Sequence, residues 1–315
     1  MFIESVPMSN NPELSIIVLS YNTEKLLKDC LASLASLREE IKFEVIVPDN
    51  GSTDSSVAMV KRDFPWVKVV ENKANLGFAR GNNSARKFCH GDYILFLNSD
   101  TVVPKNTLKE TIQYLKDNHD VGALSCKLVL ANGGLDKDAR RSFPTPWVSL
   151  THLILKLDKF FPKSPVFAKY WYGYVSPEII QSVDVIQGAY FLAPKKVLDS
   201  VNWFSEEYFL DGEDVDLCWK IHKKGLKIIY YPKVSILHLK GASKGKKLAA
   251  GKNTKSKIKK PALSERLKFR MTGVNSMEIF YKKFMWREYP LPLNLLVILG
   301  IKMMKLLRFV KTVLE

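Results

Sequence analysis

Apolar and polar positions in this chain come in two kinds of block, and the blocks alternate. "LSIIVLSYN" (residues 14–22) is a continuous apolar run that breaks into polar residues, as a strand covered on both faces does. Leu26, Leu27, Cys30, Leu31 and Leu34 then recur at helical spacing, with Thr23 placed to cap that helix. "FEVIVPDNGSTD" repeats the scheme with a short strand, a glycine turn, and Ser52, Thr53 and Asp54 as N-terminal cap signals. "WVKVVEN" predicts a third strand, "NLGFARGNNSARKFC" a helix opened by two glycines, and "YILFLNSD" a fourth strand. Strands alternating with helices at this interval predict an α/β, Rossmann-like, mostly parallel and doubly wound sheet. Crossovers in such sheets are right-handed, and ligands collect beyond the carboxyl ends of the strands. Ser20 and Asn22, Asp49 to Gly51, and Asn98, Ser99 and Asp100 all fall at such ends, so three separate segments deliver polar residues to one sheet edge.

The second half is less regular. Residues 131–180 are turn-rich and then combine prolines with aromatics in "FFPKSPVFAKYWYGYVSP". This excursion reads as a pocket wall or as a surface insertion. "VDVIQGAYFLAPKKVL" restores strand then helix, and "EEYFLDGEDVDLCWKIHKKG" runs from an acidic loop into an amphipathic helix closed by Gly225. "LKIIYYPKVSILHL" predicts a further strand. Residues 240–262, rich in Lys, Gly, Ser and Ala, read as a mobile basic loop. The last segment sets Lys302, Lys305, Arg308 and Lys311 among Leu, Ile, Met and Val. Two placements fit it: a basic amphipathic helix in a membrane interface, or a helix docked on the domain. The expected organisation is therefore an extension (1–13), a main domain (14–239), the basic loop (240–262) and C-terminal amphipathic helices (263–315).

Charge sharpens that division. The chain of 315 residues carries a formal +16, yet residues 240–270 alone hold twelve Lys/Arg against one acid, and residues 1–239 are nearly neutral. A basic tail of this kind meets anionic lipid headgroups or nucleic acid. Residues 240–262 contain no aromatic on which bases would stack, and the neutral body offers no basic face, so nucleic acid is not an expected partner. Cys30, Cys89, Cys126 and Cys218 sit in apolar contexts without C-x-x-C spacing and read as core thiols of a reducing compartment. The start "MFIESVPMSNNPE" has no basic region and no long apolar run, and "LPLNLLVILGI" falls short of the roughly 20 residues a membrane span takes. A cytoplasmic protein resting on a membrane is expected.

The candidate chemistry is acidic. Asp100 follows the apolar run "ILFL" and has two readings: a cap for the helix starting near Lys105, or a ligand for a divalent cation that bridges a diphosphate. Asp211, Glu213, Asp214 and Asp216 cluster at a helix start, where acids complement the helix dipole. Glu213 and Asp214 lie beside Gly212, where the chain can turn sharply, and a carboxylate there suits a general base whose pKa its acidic neighbours raise. His238 ends a strand, either as a structural residue or as an imidazole ligand for a manganese-like ion. His90, His119, His152 and His222 have no comparable setting.

"LSIIVLSYN", "VPDNGSTDSS", "NLGFARGNN", "ILFLNSDT", "QGAYFLAPKKVL" and "FLDGEDVDLCWK", in this order over residues 14 to 240, resemble the family 2 inverting glycosyltransferases of GT-A fold, most closely the rhamnosyltransferase-like branch. "SMEIFYKKF" adds a weaker likeness. The resemblance implies that 14–130 is a nucleotide-binding half and 131–239 an acceptor-binding half. It implies that Asp49 accepts the N3–H of a uracil or thymine, with Ser20, Asn22 and Asn50 nearby, and that Asn75, Gly77 and Arg80 line the nucleotide and diphosphate. Asn98, Ser99 and Asp100 fill the D-x-D slot, but its first position is Asn98, which leaves Asp100 as the carboxylate for Mg2+ or Mn2+ with His238 as the late metal ligand. Asp214 falls on the catalytic base with Glu213 beside it, and Gly188 and Ala189 border the acceptor. The implied reaction is transfer of a sugar, L-rhamnose from dTDP-rhamnose before a UDP-hexose, to a saccharide or lipid-linked saccharide in cell-surface polysaccharide synthesis. A nucleotidyltransferase would open with a Gly-rich loop carrying a basic residue, which "LSIIVLSYNTEKLL" lacks.

Overall fold

The structure is a computed structural model and describes residues 11–241 and 263–314. The basic loop expected at 240–262 lies, beyond Gly241, outside the described residues, as do residues 1–10 of the N-terminal extension.

The first half follows the expected alternation: β1 (Leu14–Leu19), α1 (Glu24–Ala35), β2 (Phe43–Asp49), α2 (Ser56–Asp63), β3 (Lys68–Glu71), α3 (Gly77–Asn83) and β4 (Tyr93–Asn98). β5 (Thr101–Val102), α4 (Thr107–Asp117), β6 (Val121–Leu130), α5 (Pro146–Ser149), α6 (Leu157–Phe160), β7 (Gln181–Ser182), β8 (Tyr190–Pro194), α7 (Lys195–Ser200), α8 (Glu213–Lys223) and β9 (Lys227–His238) follow, and α9 (Leu263–Phe280) and α10 (Leu291–Leu314) close the chain. Leu14, Ile16, Ile17 and Val18 of β1 and Ile94, Leu95 and Phe96 of β4 are buried, which is why their segments read as unbroken apolar runs.

The sheet order is β3-β2-β1-β4-β8-β6-β9-β5, with β7 against β9. β3, β2, β1 and β4 are parallel, and β8 enters antiparallel to β4. β1 has β2 on one side and β4 on the other, so the winding reverses there and opens a crevice at the carboxyl ends. β5 imposes a curl. It pairs antiparallel with β9, Thr101 opposite His238, although only Ser99 and Asp100 separate it from β4. Four strand spacings of ~4.8 Å amount to about 19 Å. Three residue steps reach only ~10 Å, so the sheet must bend until the end of β9 meets the end of β4. That bend brings Asp100 to His238.

Thr23 does not cap α1 with its side chain. Asp54 does so from the neighbouring loop: its Oδ2 accepts the Glu24 N–H at 3.0 Å, and its Oδ1 accepts the Ser56 N–H at 3.0 Å at the start of α2. One carboxylate thus fastens two helix starts, and those hydrogen bonds hold its pKa down against burial. All four cysteines are buried and free, as expected.

α9 and α10 form an antiparallel pair. The Tyr281 hydroxyl donates to Asn294 Oδ1 at 2.7 Å near one end, and the Arg266 guanidinium donates to the Thr312 carbonyl at 3.2 Å near the other. Phe280 anchors the pair on Phe143 and Trp219. Of the two placements read from the sequence, α10 takes the docked one, with an apolar face left exposed. Asn294, Ile301 and Thr312 are buried on its docked face, while Leu295, Leu296, Leu299, Met303, Leu306 and Leu307 are exposed. Lys305 and Arg308 turn inward, donating to Glu278 and to the Arg270 carbonyl. No helix among the described residues is long and apolar enough to cross a membrane.

Candidate active site

Three loops meet at the carboxyl ends of β1, β2 and β3. Asn22, in the left-handed region at φ 53°, accepts the Thr53 N–H at 2.7 Å on its Oδ1, and its own N–H donates to Ser52 Oγ at 2.9 Å. Ser20 bridges to Asp49. Asp49 is buried; its Oδ2 accepts the N–H groups of Gly51 at 3.1 Å and Ser52 at 2.8 Å, and its Oδ1 accepts the Ser52 hydroxyl. A carboxylate has about four acceptor positions, of which these bonds take three. Asn50 is committed to structure: its amide donates to the Gly77 carbonyl at 2.9 Å and accepts from Asn72 at 3.0 Å. Asn75 Oδ1 accepts the Gly77 N–H at 3.0 Å. Gly77 has φ +80°, and a Cβ there would lie 2.2 Å from the Phe209 carbonyl oxygen, so only glycine fits. Arg80 leans to the Glu206 carbonyl at 3.2 Å and remains 57% exposed.

The second cluster surrounds the end of β4. The Asn98 N–H donates to the Ala189 carbonyl at 3.2 Å, which sets Gly188 and Ala189 beside Asn98, Ser99 and Asp100. Asp100 and His238 are both buried, with Oδ1 and Nε2 3.4 Å apart. The other ring nitrogen, Nδ1, is 2.9 Å from Asp136 Oδ2. Lys240 donates to Asp136 Oδ1 at 2.6 Å and also to Asp138. Burial lowers the His238 pKa, but the two carboxylates outweigh it and raise it to about 9; burial raises Asp136, but His238 and Lys240 hold it at about 2.

The donor set fits a divalent cation. Asp100 Oδ1 and His238 Nε2 face one another at 3.4 Å, and Asp136 on Nδ1 fixes the ring, so a cation that displaced the ring proton would meet both groups. Among the described residues no third His, Cys, Asp or Glu converges with them. The remaining positions around such an ion would be left to phosphate and water.

The third cluster is the start of α8, where Gly212 at φ +92° makes the turn. Asp214 Oδ2 is bonded to the Arg141 guanidinium and its Oδ1 accepts the Val215 N–H at 2.8 Å; the two side chains are only 13% (Arg141) and 10% (Asp214) exposed. Arg141 itself pairs through its backbone with Val185, on the approach to β8. Because β8 runs antiparallel to β4, that approach lies at the carboxyl end of β4, and Asp214 joins Asp49 and Asp100 on one edge. Burial, then the charge of Asp214, raises the Glu213 carboxyl well above its ordinary value. Burial raises Asp214 too, but Arg141 opposes it. Arg141 thus favours the charge of this pair on Asp214. Asp216 is structural: fully buried, it accepts from Ser205 at 2.6 Å and from Lys283 at 2.7 Å. A cavity of about 900 Å3 beside Arg86 and another of about 650 Å3 beside α9 include none of these acidic residues in their walls.

Reading by sequence missed Asp136 and Arg141. The run "DKDARRS" (136–142), charged within a turn-rich segment, was the available signal.

The model of glycosyl transferase family 2 matches residues 15–172. The chain belongs to this family. It is a glycosyltransferase, and its relatives serve cell-surface polysaccharide synthesis. It is 26% identical over 244 residues, 74% of this chain and 78% of the relative, to the N-acetylglucosaminyl-diphospho-decaprenol L-rhamnosyltransferase of Mycobacterium tuberculosis (strain ATCC 25618 / H37Rv). The poly(ribitol-phosphate) beta-N-acetylglucosaminyltransferase TarS of Staphylococcus aureus (strain MW2) is 35% identical over 123 residues, which are 38% of this chain and 21% of TarS. Among solved structures, the mannosyltransferase PcManGT of Pyrobaculum calidifontis, in complex with GDP-Man and Mn2+, aligns over 96% of this chain and 74% of its own with a TM-score of 0.54 at 19% identity. That likeness shows the GT-A fold expected for this glycosyltransferase.

Proposed function

We propose that this glycosyltransferase moves a sugar, L-rhamnose from dTDP-rhamnose, with inversion onto a hydroxyl of a lipid-linked saccharide. The observation that carries the reading is the enclosed pairing of Asp214 with Arg141 beside Glu213, on the sheet edge that also holds Asp49 and Asp100. Residues 14–130 bind the donor and 131–239 the acceptor. Asp49 accepts the N3–H of the base, and Ser20, Asn22, Asn50, Asn75 and Gly77 shape the loops around the nucleotide. Asp100 and His238 would hold Mg2+ or Mn2+, which would supply positive charge to a departing diphosphate. Arg80 swings from Glu206 to the same phosphates.

Asp214 is the base. Arg141 keeps it ionised in a buried site, and each of its oxygens retains a lone pair beyond the bonds it already makes. The acceptor hydroxyl, lying between Asp214 and Ala189, gives its proton to that lone pair while its oxygen bonds to the anomeric carbon. The bond from that carbon to the diphosphate breaks on the opposite face and its electron pair leaves with the nucleotide. Glu213, neutral, adds no repulsion to the charge on Asp214. Positioning and fixed charge account for most of the acceleration.

The dTDP-rhamnose donor is supported by the long alignment with the mycobacterial rhamnosyltransferase; the shorter likeness to TarS favours a UDP-hexose as the second reading. The exposed apolar face of α10, with Lys302 and Lys311 at its flanks, supports a peripheral place on the cytoplasmic face of an anionic membrane, where a lipid-linked acceptor is met. Offering dTDP-L-rhamnose, UDP-N-acetylglucosamine and GDP-mannose with Mn2+ and following thermal shift and acceptor-dependent nucleoside diphosphate release tests the reading. Stabilisation and turnover with dTDP-L-rhamnose support it; turnover with a UDP-sugar alone replaces the donor, and none with any donor overturns it.

A further inference from the structure

We propose that the projecting segment 146–169 is a second bilayer-contact element, seated in an anionic headgroup layer beside the catalytic base. It deepens the membrane reading above, whose own support is α10, and stands on different residues.

The segment leaves the domain immediately after Arg141. Ser142 is held by the Tyr170 carbonyl, the Phe143 N–H donates to Asp184 at 3.1 Å, and the Phe143 ring stacks on Phe280. From this anchored base the chain turns outward through α5 and α6. The projection has an interior of its own: Val148, Thr151 and Ala168 are buried. His152 stacks on Tyr170 at 4.3 Å, and the Trp147 indole N–H donates to the Val166 carbonyl at 3.3 Å. With that interior satisfied, its outer surface is still apolar. Leu153, Ile154, Leu155, Phe160, Phe161 and Val166 are exposed, Phe160 to 75%. A patch of this kind on a water-soluble surface marks a place of contact.

Charge identifies the occupant. Lys156, Lys159, Lys163 and Lys169 are exposed between and beside these apolar residues, whereas the segment's acid, Asp158, turns inward to His152 at 2.9 Å. Apolar side chains that enter the acyl boundary while lysines reach up to phosphates are the signature of an interfacial membrane element. The segment begins five residues after Arg141, the residue that holds Asp214, which ties the proposed contact to the base along the chain.

The test uses the full chain with Phe160→Cys labelled by an environment-sensitive fluorophore; the native cysteines are buried and leave residue 160 as the labelling site. Vesicles of phosphatidylcholine with about 30% phosphatidylglycerol are expected to shift the emission to the blue, and vesicles of phosphatidylcholine alone are not. Phe160→Asp/Phe161→Asp is expected to weaken co-sedimentation with the anionic vesicles by at least about tenfold at an unchanged melting temperature. If the unsubstituted chain sediments but residue 160 stays in water, this proposal falls and the α10 reading stands. If the unsubstituted chain does not sediment at all, both fall. A concentration-dependent blue shift without vesicles assigns the patch to a second copy of the chain and overturns the proposal.

Discussion

Arg141→Met removes the guanidinium bonded to Asp214 while keeping comparable bulk. The pair is almost fully enclosed, and removing one partner of such a pair costs about 3–5 kcal/mol. At about 1.36 kcal/mol per pKa unit, this is an upward pressure of about 2–4 units on a carboxyl that burial already raises. Asp214 answers by taking a proton. The raised folded-state pKa costs nothing below the unfolded value and most above the folded one, so Arg141→Met loses more stability at pH 8 than at pH 5. The acid limb of kcat/KM against pH moves up by about 2 units or more, and at pH values below the wild-type limb turnover falls by about 100-fold or more. Arg141→Met/Asp214→Asn, with no charge left to strand, regains about 2–3 kcal/mol over the single variant. Denaturant unfolding at both pH values and pH profiles of nucleoside diphosphate release read all of this. An unmoved acid limb in folded Arg141→Met, or a double variant no more stable than the single, refutes the reasoning.

Three further outcomes follow from the site. Glu213 has a folded pKa above its unfolded value of about 4.5. Its stability is therefore full below that pH and lost as pH rises through the folded pKa, so Glu213→Gln, which mimics the neutral acid, gains on the wild type by up to about 1.4 kcal/mol per pH unit in thermal or denaturant melts. Asp136→Asn frees the His238 ring and is expected to weaken Mn2+ binding by about 10–100-fold, measured by titration without donor. Gly77→Ala drives a Cβ into the Phe209 carbonyl at a positive φ and is expected to destabilise by more than about 2 kcal/mol in urea unfolding.

The first half of this fold was legible because β1 and β4 are buried on both faces. Apolar runs ending in Asn, Ser and Asp announced β1 and β4, and a short strand before a glycine turn announced β2 on the same edge. β8 and β9 were also visible, but strand direction leaves no trace in apolar content, so the antiparallel entry of β8 could not be read. β5 is too short to announce itself, and β6 lay unassigned within "VGALSCKLVL". The Asp100–His238 encounter depends on the curl that β5 forces and spans 138 positions of sequence. Asp136 and Arg141 escaped because they sit in a turn-rich segment with no periodicity, where an enclosed, paired charge looks like a solvated one. Thr23 looked like a cap because local spacing favoured it, yet a carboxylate from the adjacent loop took the position.

The most direct test of the account is Asp214→Asn assayed for donor binding and sugar transfer in parallel. Unchanged stabilisation by the nucleotide sugar with Mn2+, together with loss of acceptor-dependent nucleoside diphosphate release, is the expected result. Turnover close to that of the unsubstituted enzyme would contradict it and remove Asp214 from the reaction.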